Sequence, residues 1–351
     1  MAILCVFNEF LFLFIKTSKL WYNNLKEVIV LTLLILSINK WFLITIIVLI
    51  LLFLYLFICY WIYRSILVDF NNPPVDLVDQ EEDFYKNSYK WFQEIPKEDI
   101  YITSYDSLKL HGYYIPSMGK KSNNLAIVVH GYQSKATDMI IIGQMYVKMG
   151  FQVILIDLRG HGLSEGSFTT FGFYEKYDLK KWINYALHTY GADLNILIHG
   201  VSMGAASAMM VTGLDIPNNV KFLLLDSGFT SVKKTFTNAR KNKVLRIFFP
   251  GLNLIIYSKH KFILNQVNPE KYMRKNTIPF LIVQGGEDKV VPISMGERLL
   301  NVSPAGQKEM IIIDEAKHAL GFYVDFDKCQ NEVFKNIKDV FKIKKIYKIN
   351  E

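Results

Sequence analysis

The chain has 351 residues, 51% of them hydrophobic and 21% charged, with 40 Lys and Arg against 32 Asp and Glu for a formal charge of +8. That length holds one large domain plus something smaller. The basic excess is spread over an N-terminal flank, a mid-chain segment and the tail, and it forms no nucleic-acid motif, so no nucleic-acid partner is expected. Cys5, Cys59 and Cys329 stand apart from any His/Asp cluster, which predicts no metal site, and only Cys329 lies beyond the apolar N-terminus, so the remainder forms no internal disulfide.

The first element in chain order is apolar. From Trp41 to Tyr63 no residue is charged, and such a run is long enough to cross a bilayer as a helix. Trp41 at one end and Tyr60, Trp61 and Tyr63 at the other suit the two water–lipid interfaces. A buried core helix would keep a polar face, and this run has none. Upstream, Val28 to Ile38 is short for a span and Ala2 to Ile15 is interrupted by Asn8 and Glu9. No small-x-small cleavage site follows the run, so an uncleaved anchor over residues 1–66, with its main span at about 41–63, is expected. Lys16, Lys19, Lys26 and Lys40 precede the span, whereas after Arg64 the chain turns acidic through Asp69, Asp76, Asp79, Glu81, Glu82 and Asp83. This bias puts the N-terminus in the cytoplasm and everything after Arg64 outside. A second upstream span would reverse that topology.

Residues 67–98, with Pro73, Pro74 and many acids, read as a linker and lead-in. Ile100 to Tyr105 and Leu108 to Ile115 then read as strands of a hairpin around Asp106-Ser107. Further strands are expected at Leu125–Val129, Phe151–Ile156, Leu194–Ile198, Val220–Leu225, Pro279–Val283 and Met310–Ile313. Their continuous apolar character implies burial on both faces. Helices are expected at Asp138–Met149, Glu175–Tyr190, Met203–Thr212, Ile293–Asn301 and Asp325–Ile343. The alternation predicts an α/β fold, a mostly parallel sheet covered by helices, with functional groups gathered at the carboxyl ends of the strands.

Several short motifs fall at those strand ends. They are His130-Gly131-Tyr132, the run Asp157 to Ser164 (with Arg159-Gly160-His161-Gly162 inside it), Gly200-Val201-Ser202-Met203-Gly204, the run Gln284 to Pro292, and Ala316-Lys317-His318. Together they make the chain resemble an α/β-hydrolase from about Ile100 to Ile343. Asp226 to Ser231 further resembles the branch of small membrane-anchored bacterial hydrolases grouped with serine esterases and prolyl-peptidase-like hydrolases.

The resemblance implies that Ser202, on the sharp strand-to-helix turn, is the nucleophile, His318 the base and Asp288 the acid that holds the His318 tautomer. Glu287 and Asp226 are rivals for the acid. Asp226 is expected instead to hydrogen-bond backbone near its strand end. The backbone N–H groups of Tyr132 and Met203 would form the oxyanion hole. The Tyr132 ring either lines the pocket or lies on the surface. Of the remaining histidines, His130 is read as a loop-shaping hydrogen-bonder, His161 as structural and His199 as a packing residue, while His111, His188 and His260 carry no motif.

Residues 229–276 leave the strand–helix rhythm and read as a short helical cap on the hydrolase domain, 99–351. The cap carries Lys233, Lys234, Arg240, Lys241, Lys243 and Arg246 ahead of an apolar run, Ile247 to Leu252. This is either a solvated basic face or a surface that meets anionic or membrane-bound acyl substrates, with the apolar run lining an acyl pocket. The basic tail, from Lys335 to Lys348, reads as a final helix packed on the sheet. The expected activity is that of a membrane-anchored, carboxylesterase-like serine hydrolase needing no cofactor or metal. Its substrate is expected to be a small-molecule acyl ester, with lipid and peptide as variants. A serine peptidase or amidase, and a non-catalytic binding protein that kept the fold, are the alternatives. Halide and epoxide chemistry is disfavoured because those relatives carry aspartate where Ser202 stands.

Overall fold

The computed structural model describes residues 2–69, 82–119, 122–239 and 245–347. The expectations resting on Pro73, Pro74, Asp76, Asp79, Glu81, Arg240, Lys241, Lys243 and Lys348 lie outside them. Residues 1–58 form one compact unit and Cys59–Glu351 another.

The first unit belongs to a single unbroken helix, α1 (Ala2–Tyr63). The described residues hold one helix long and apolar enough to cross a membrane, Tyr22–Val68, which contains the expected span and extends it upstream. Leu31, Leu36, Phe42, Leu49 and Phe53 are all exposed along it.

The second unit opens with the last turn of α1 and a π-helical turn, Arg64–Val68. The expected lead-in is not purely a linker, because α2 (Glu82–Glu94) forms inside it. Its Trp91 and Phe92 pack into the core, and tertiary burial of that apolar edge outweighs the acidic, charge-rich composition. The hairpin follows as β1 (Glu98–Thr103) and β2 (Lys109–Ile115), antiparallel as expected. The remaining elements are β3 (Asn124–Val129), α3 (Ile140–Lys148), β4 (Gln152–Ile156), α4 (Glu175–Tyr190), β5 (Asn195–Val201), α5 (Met203–Val211) and β6 (Val220–Asp226). Then come α6 (Val232–Ala239), α7 (Leu245–His260), α8 (Pro269–Met273), β7 (Phe280–Gly285), α9 (Ile293–Val302), β8 (Lys308–Ile313), α10 (Gly321–Val324) and α11 (Phe326–Ile337).

The eight strands form one sheet in the order β1-β2-β4-β3-β5-β6-β7-β8. Pairing is antiparallel from β1 through β4 and parallel from there to β8. Successive residues of β3 alternate between two separate apolar cores: Ile127 and Val129 face one, Ala126 and Val128 the other. This is the two-sided burial that the unbroken apolar runs imply. Helix α5 is entirely buried, and its Gly204, Ala205, Ala206, Ser207 and Ala208 let it lie close against the sheet.

The expected helix over Asp325–Ile343 ends early, at Ile337. Beyond it the chain turns, with Lys342 in the left-handed region at φ 53°. The turn brings Phe341 onto Phe151, with ring centroids 5.0 Å apart, and lets Asn124 Nδ2 donate to the Phe341 carbonyl. Burying that ring against the sheet takes precedence over continuing a lysine-rich helix.

Candidate active site

Ser202 occupies the single residue between β5 and α5. Its φ of 52° and ψ of −105° form a strained turn that projects the side chain from the strand end. Two glycines make room for it. A Cβ on Gly200 would sit 2.4 Å from the Gly204 carbonyl carbon, and one on Gly204 would sit 2.1 Å from the Val129 carbonyl oxygen. Helix α5 therefore approaches β3 and β5 more closely than any side chain permits. The Ser202 N–H donates to the Asp226 carbonyl at 2.8 Å, and the Ser202 carbonyl accepts from the Ala206 N–H at 3.0 Å, fixing the turn from both sides.

Because β5, β6, β7 and β8 are parallel neighbours, their carboxyl ends lie on one edge of the sheet. The loop after β7 carries Asp288 and the loop after β8 carries His318. The structure brings both to Ser202. Ser202 Oγ lies 2.8 Å from His318 Nε2, and His318 Nδ1 lies 2.7 Å from Asp288 Oδ2. A carboxylate only accepts, so Nδ1 carries the ring proton and Nε2 is left to accept from the serine hydroxyl. Asp288 is held in turn: its Oδ1 accepts from the N–H groups of Val290 and Val291 at 2.8 and 2.7 Å, and its Oδ2 accepts from Gln284 Nε2 at 3.1 Å. It is 7% exposed, whereas the His318 side chain keeps 22% of its surface open. The arrangement leaves His318 accessible and Asp288 sealed.

The two rivals for the acid are placed elsewhere. Glu287 is exposed. Asp226 is 2% exposed, and its side-chain partner is not backbone, as expected, but the hydroxyl of its neighbour: Ser227 Oγ donates to Asp226 Oδ1 at 2.9 Å. The same Ser227 oxygen accepts from the N–H of Ala319, the residue after His318, at 3.1 Å. Ser227 and Ala319 both sit at positive φ, 52° and 60°, a conformation that brings the two loops into register. Asp226 thus supports the histidine loop through one intermediary, an arrangement that sequence order does not signal.

Burial pushes the Asp226 carboxyl up to about 7. The folded state therefore binds this proton more tightly than the unfolded chain, whose carboxyl titrates near 3.8. Stability falls as pH rises from about 4 to about 7 and is level above that. Asp226→Asn keeps an acceptor for Ser227 and never ionises. Its melting temperature in detergent should match the wild type at pH 4 and exceed it by several degrees at pH 8, given roughly 2–4 °C per kcal/mol for a domain of this size. A gap independent of pH would show that the carboxyl is not held protonated.

The oxyanion donors proposed from the sequence can be placed by element. Met203 is the first residue of α5, so its N–H is among those with no intrahelical acceptor. The loop before Tyr132 abuts Ser202, since a Cβ on Gly131 would lie 3.5 Å from Ser202 Cβ. The Tyr132 ring is half-buried. Its centroid lies 5.3 Å from that of Phe171, which in turn makes an edge contact with Phe236 of α6 at 5.4 Å. The Tyr132 hydroxyl donates to the Ile66 carbonyl at 2.9 Å. Phe171, Phe236 and Ile66 carry no motif, and only the fold brings them beside this loop.

Four other histidines are held within the fold. His130 is buried, and the Leu158 N–H donates to its Nε2 at 3.0 Å. Its Nδ1 therefore carries the proton and donates to the Gly131 carbonyl at 2.7 Å. Burial, with His161 beside it, pulls this imidazole well below its usual range, so it stays neutral and shapes the loop as expected. His161 faces the Arg159 carbonyl at 2.9 Å, and His199 lies buried 3.1 Å from the Tyr146 hydroxyl. His260 stacks on Phe168, with ring centroids 3.8 Å apart.

His111, read as carrying no motif, is buried between two carboxylates, 2.7 Å from Asp157 Oδ2 and 2.9 Å from Asp99 Oδ1. Burial pulls it down, but these hydrogen bonds outweigh burial and raise it. Asp157 also accepts from the N–H groups of Ala136 and Leu163. The pair thus pins the loops that follow β3 and β4.

Residues 120–272 match the family Hydrolase_4, described as serine aminopeptidase, S33. The Bacillus subtilis protein YqkD is 24% identical over 250 residues, covering 70% of this chain and 81% of its own length. YfhR of Escherichia coli K12 is 27% identical over 235 residues, covering 64% and 74%. Among solved structures, the Pyrococcus furiosus esterase Pf2001 superposes with a TM-score of 0.59 at 23% identity, over 76% of this chain and 98% of that one. An esterase from Exiguobacterium antarcticum does so at 0.51 and 16%, over 69% and 100%.

Proposed function

Because the chain has the α/β-hydrolase fold, we propose that it is a membrane-anchored serine hydrolase that cleaves carboxylic esters through an acyl-enzyme, with Ser202, His318 and Asp288 as its triad. The observation that carries this is the continuous relay from Ser202 Oγ through His318 to Asp288, with contacts of 2.8 and 2.7 Å. As Ser202 Oγ attacks the ester carbonyl, its proton passes to His318 Nε2. Asp288 stabilises the resulting imidazolium. The Met203 and Tyr132 N–H groups hold the oxyanion, each contributing about 2.7–4 kcal/mol to the transition state. His318 then returns the proton to the departing alkoxide, and water repeats the sequence to release the acid.

We choose an ester over an N-terminal aminoacyl substrate. Neither buried carboxylate at the relay is free to receive an α-ammonium group, since Asp288 is committed to His318 and Asp226 is sealed from solvent. The esterase names of the two structural neighbours agree with this choice. The apolar helix supports anchoring, and the lysine bias supports an extracytoplasmic domain.

One experiment tests nucleophile, anchoring and side together. A membrane-impermeant fluorophosphonate should label the chain in intact cells. The label should map to the peptide containing Ser202 and remain in the membrane pellet after an alkaline carbonate wash. Labelling only with a permeant probe would reverse the topology. Label on any other serine would remove the assignment.

A further inference from the structure

We propose that cap helix α7 lies on the bilayer surface and that the ester reaching Ser202 is a long-chain acyl lipid resident in that bilayer. This rests on the anchored-hydrolase reading above and adds the substrate's class and its route.

Helix α7 has two apolar faces. One, with Phe249, Leu252 and Ile256, is buried in the core. The other presents Ile247, Leu254 and Tyr257 at 62, 63 and 57% exposure, with exposed Pro250 between them. The spacing 247, 250, 254, 257 places all four on one side of the helix. Arg246 at the start of the stripe and Lys261 just past its end are exposed. An apolar stripe bordered by cations is the pattern of a helix lying in a lipid interface with anionic headgroups.

The occupant is identified by what α7 is fastened to. Near its start, the Phe248 carbonyl accepts from Cys59 Sγ at 3.7 Å. At its end, His260 Nε2 lies 2.7 Å from the Tyr63 hydroxyl, and Lys259 Nζ lies 5.8 Å from the centre of the Tyr60 ring. Cys59, Tyr60 and Tyr63 form the last turn of the apolar helix, where an anchor leaves the hydrocarbon. Both ends of α7 are therefore fastened to the segment that the anchored reading places at the membrane boundary.

The residues immediately after the span lead on to the site. The Leu67 carbonyl accepts from the Thr169 N–H at 3.0 Å, and the Ile66 carbonyl accepts from the Tyr132 hydroxyl. Tyr132 belongs to the loop that abuts Ser202. Thus the segment that leaves the membrane also braces the proposed oxyanion loop, whose Tyr132 ring packs on Phe171 and, through it, on Phe236 of α6. A lipid in the bilayer would reach the cap without first crossing water.

The test uses the full chain in vesicles of phosphatidylethanolamine and phosphatidylglycerol, with Cys5 replaced by Ala and the buried Cys59 and Cys329 retained. A nitroxide on Leu254→Cys should be relaxed by oxygen and shielded from an aqueous nickel chelate, while one on Lys221→Cys, exposed on β6, should be open to the chelate. Equal exposure of both labels to the chelate would overturn the surface assignment. In parallel, Leu254→Glu combined with Tyr257→Glu should lower hydrolysis of a diacylglycerol in those vesicles by about 10-fold or more, and change hydrolysis of a water-soluble butyrate ester less than about 2-fold. Equal losses on both substrates, or none on the diacylglycerol, would overturn the lipid route. If the wild type cleaves neither, the hydrolase reading fails, while the nitroxide result still decides where α7 lies.

Discussion

Ser202→Ala should lower kcat by about 10⁴–10⁶-fold on any ester the wild type cleaves, with KM little changed. The size follows from how little the substitution disturbs. Alanine keeps the Cβ and the backbone, so the N–H bond to the Asp226 carbonyl and the carbonyl bond from Ala206 both persist. The positive φ of 52° is a strain already present in the wild type, and alanine bears it no better or worse than serine. Only the oxygen 2.8 Å from His318 Nε2 is removed, and with it the covalent route. The backbone N–H groups proposed as oxyanion donors are unchanged, so residual turnover through direct water attack is expected rather than zero. Steady-state kinetics on a short-chain ester, with circular dichroism to confirm an unchanged fold, reads the effect. A loss of less than about 10-fold would mean that another group attacks the carbonyl.

What the sequence made legible was which side chains the strand ends bring together. Ser202, Asp288 and His318 lie in loops whose position is set by the strand before them, and a parallel sheet delivers all such loops to one edge. Knowing the strands was therefore enough to group the residues. Interactions perpendicular to that logic were not legible. His111 gained its two carboxylates only through the pairing of β2 with β1 and β4, which joins residues 12 and 46 positions apart. Ser227 linked Asp226 to Ala319 across 92 residues. Helix α2 arose in a stretch whose proline and acids argue for coil, because Phe92 found a place against Tyr113 in the second core, with ring centroids 5.3 Å apart. The early end of α11 has the same cause, a single aromatic ring, Phe341, whose burial fixes the backbone around it. In each case a long-range contact decided what local pattern left open, as is expected when tertiary packing outweighs propensity.

The same distinction sets the second large effect, which separates two carboxylates that sequence order could not fully separate. Asp288→Asn should reduce kcat about 10⁴-fold. The asparagine amide can place an N–H where a carboxylate oxygen faced His318 Nδ1. Nδ1 would then become the acceptor and Nε2 the protonated nitrogen, turning the base away from its function at Ser202. Asp288 Oδ1 already accepts two backbone N–H groups, from Val290 and Val291. The Asn oxygen will therefore keep that position and direct the NH₂ at His318, which favours the wrong tautomer. Asp226→Asn meets no such conflict. Its Oδ1 has only to accept from the Ser227 hydroxyl, and asparagine can do so, so kcat should stay within about 10-fold of wild type. Measuring both variants on one ester at one pH gives a ratio near 10³ or greater. A ratio near one, or inverted, would move the acid to the end of β6 and require the histidine loop to shift toward Asp226 during turnover.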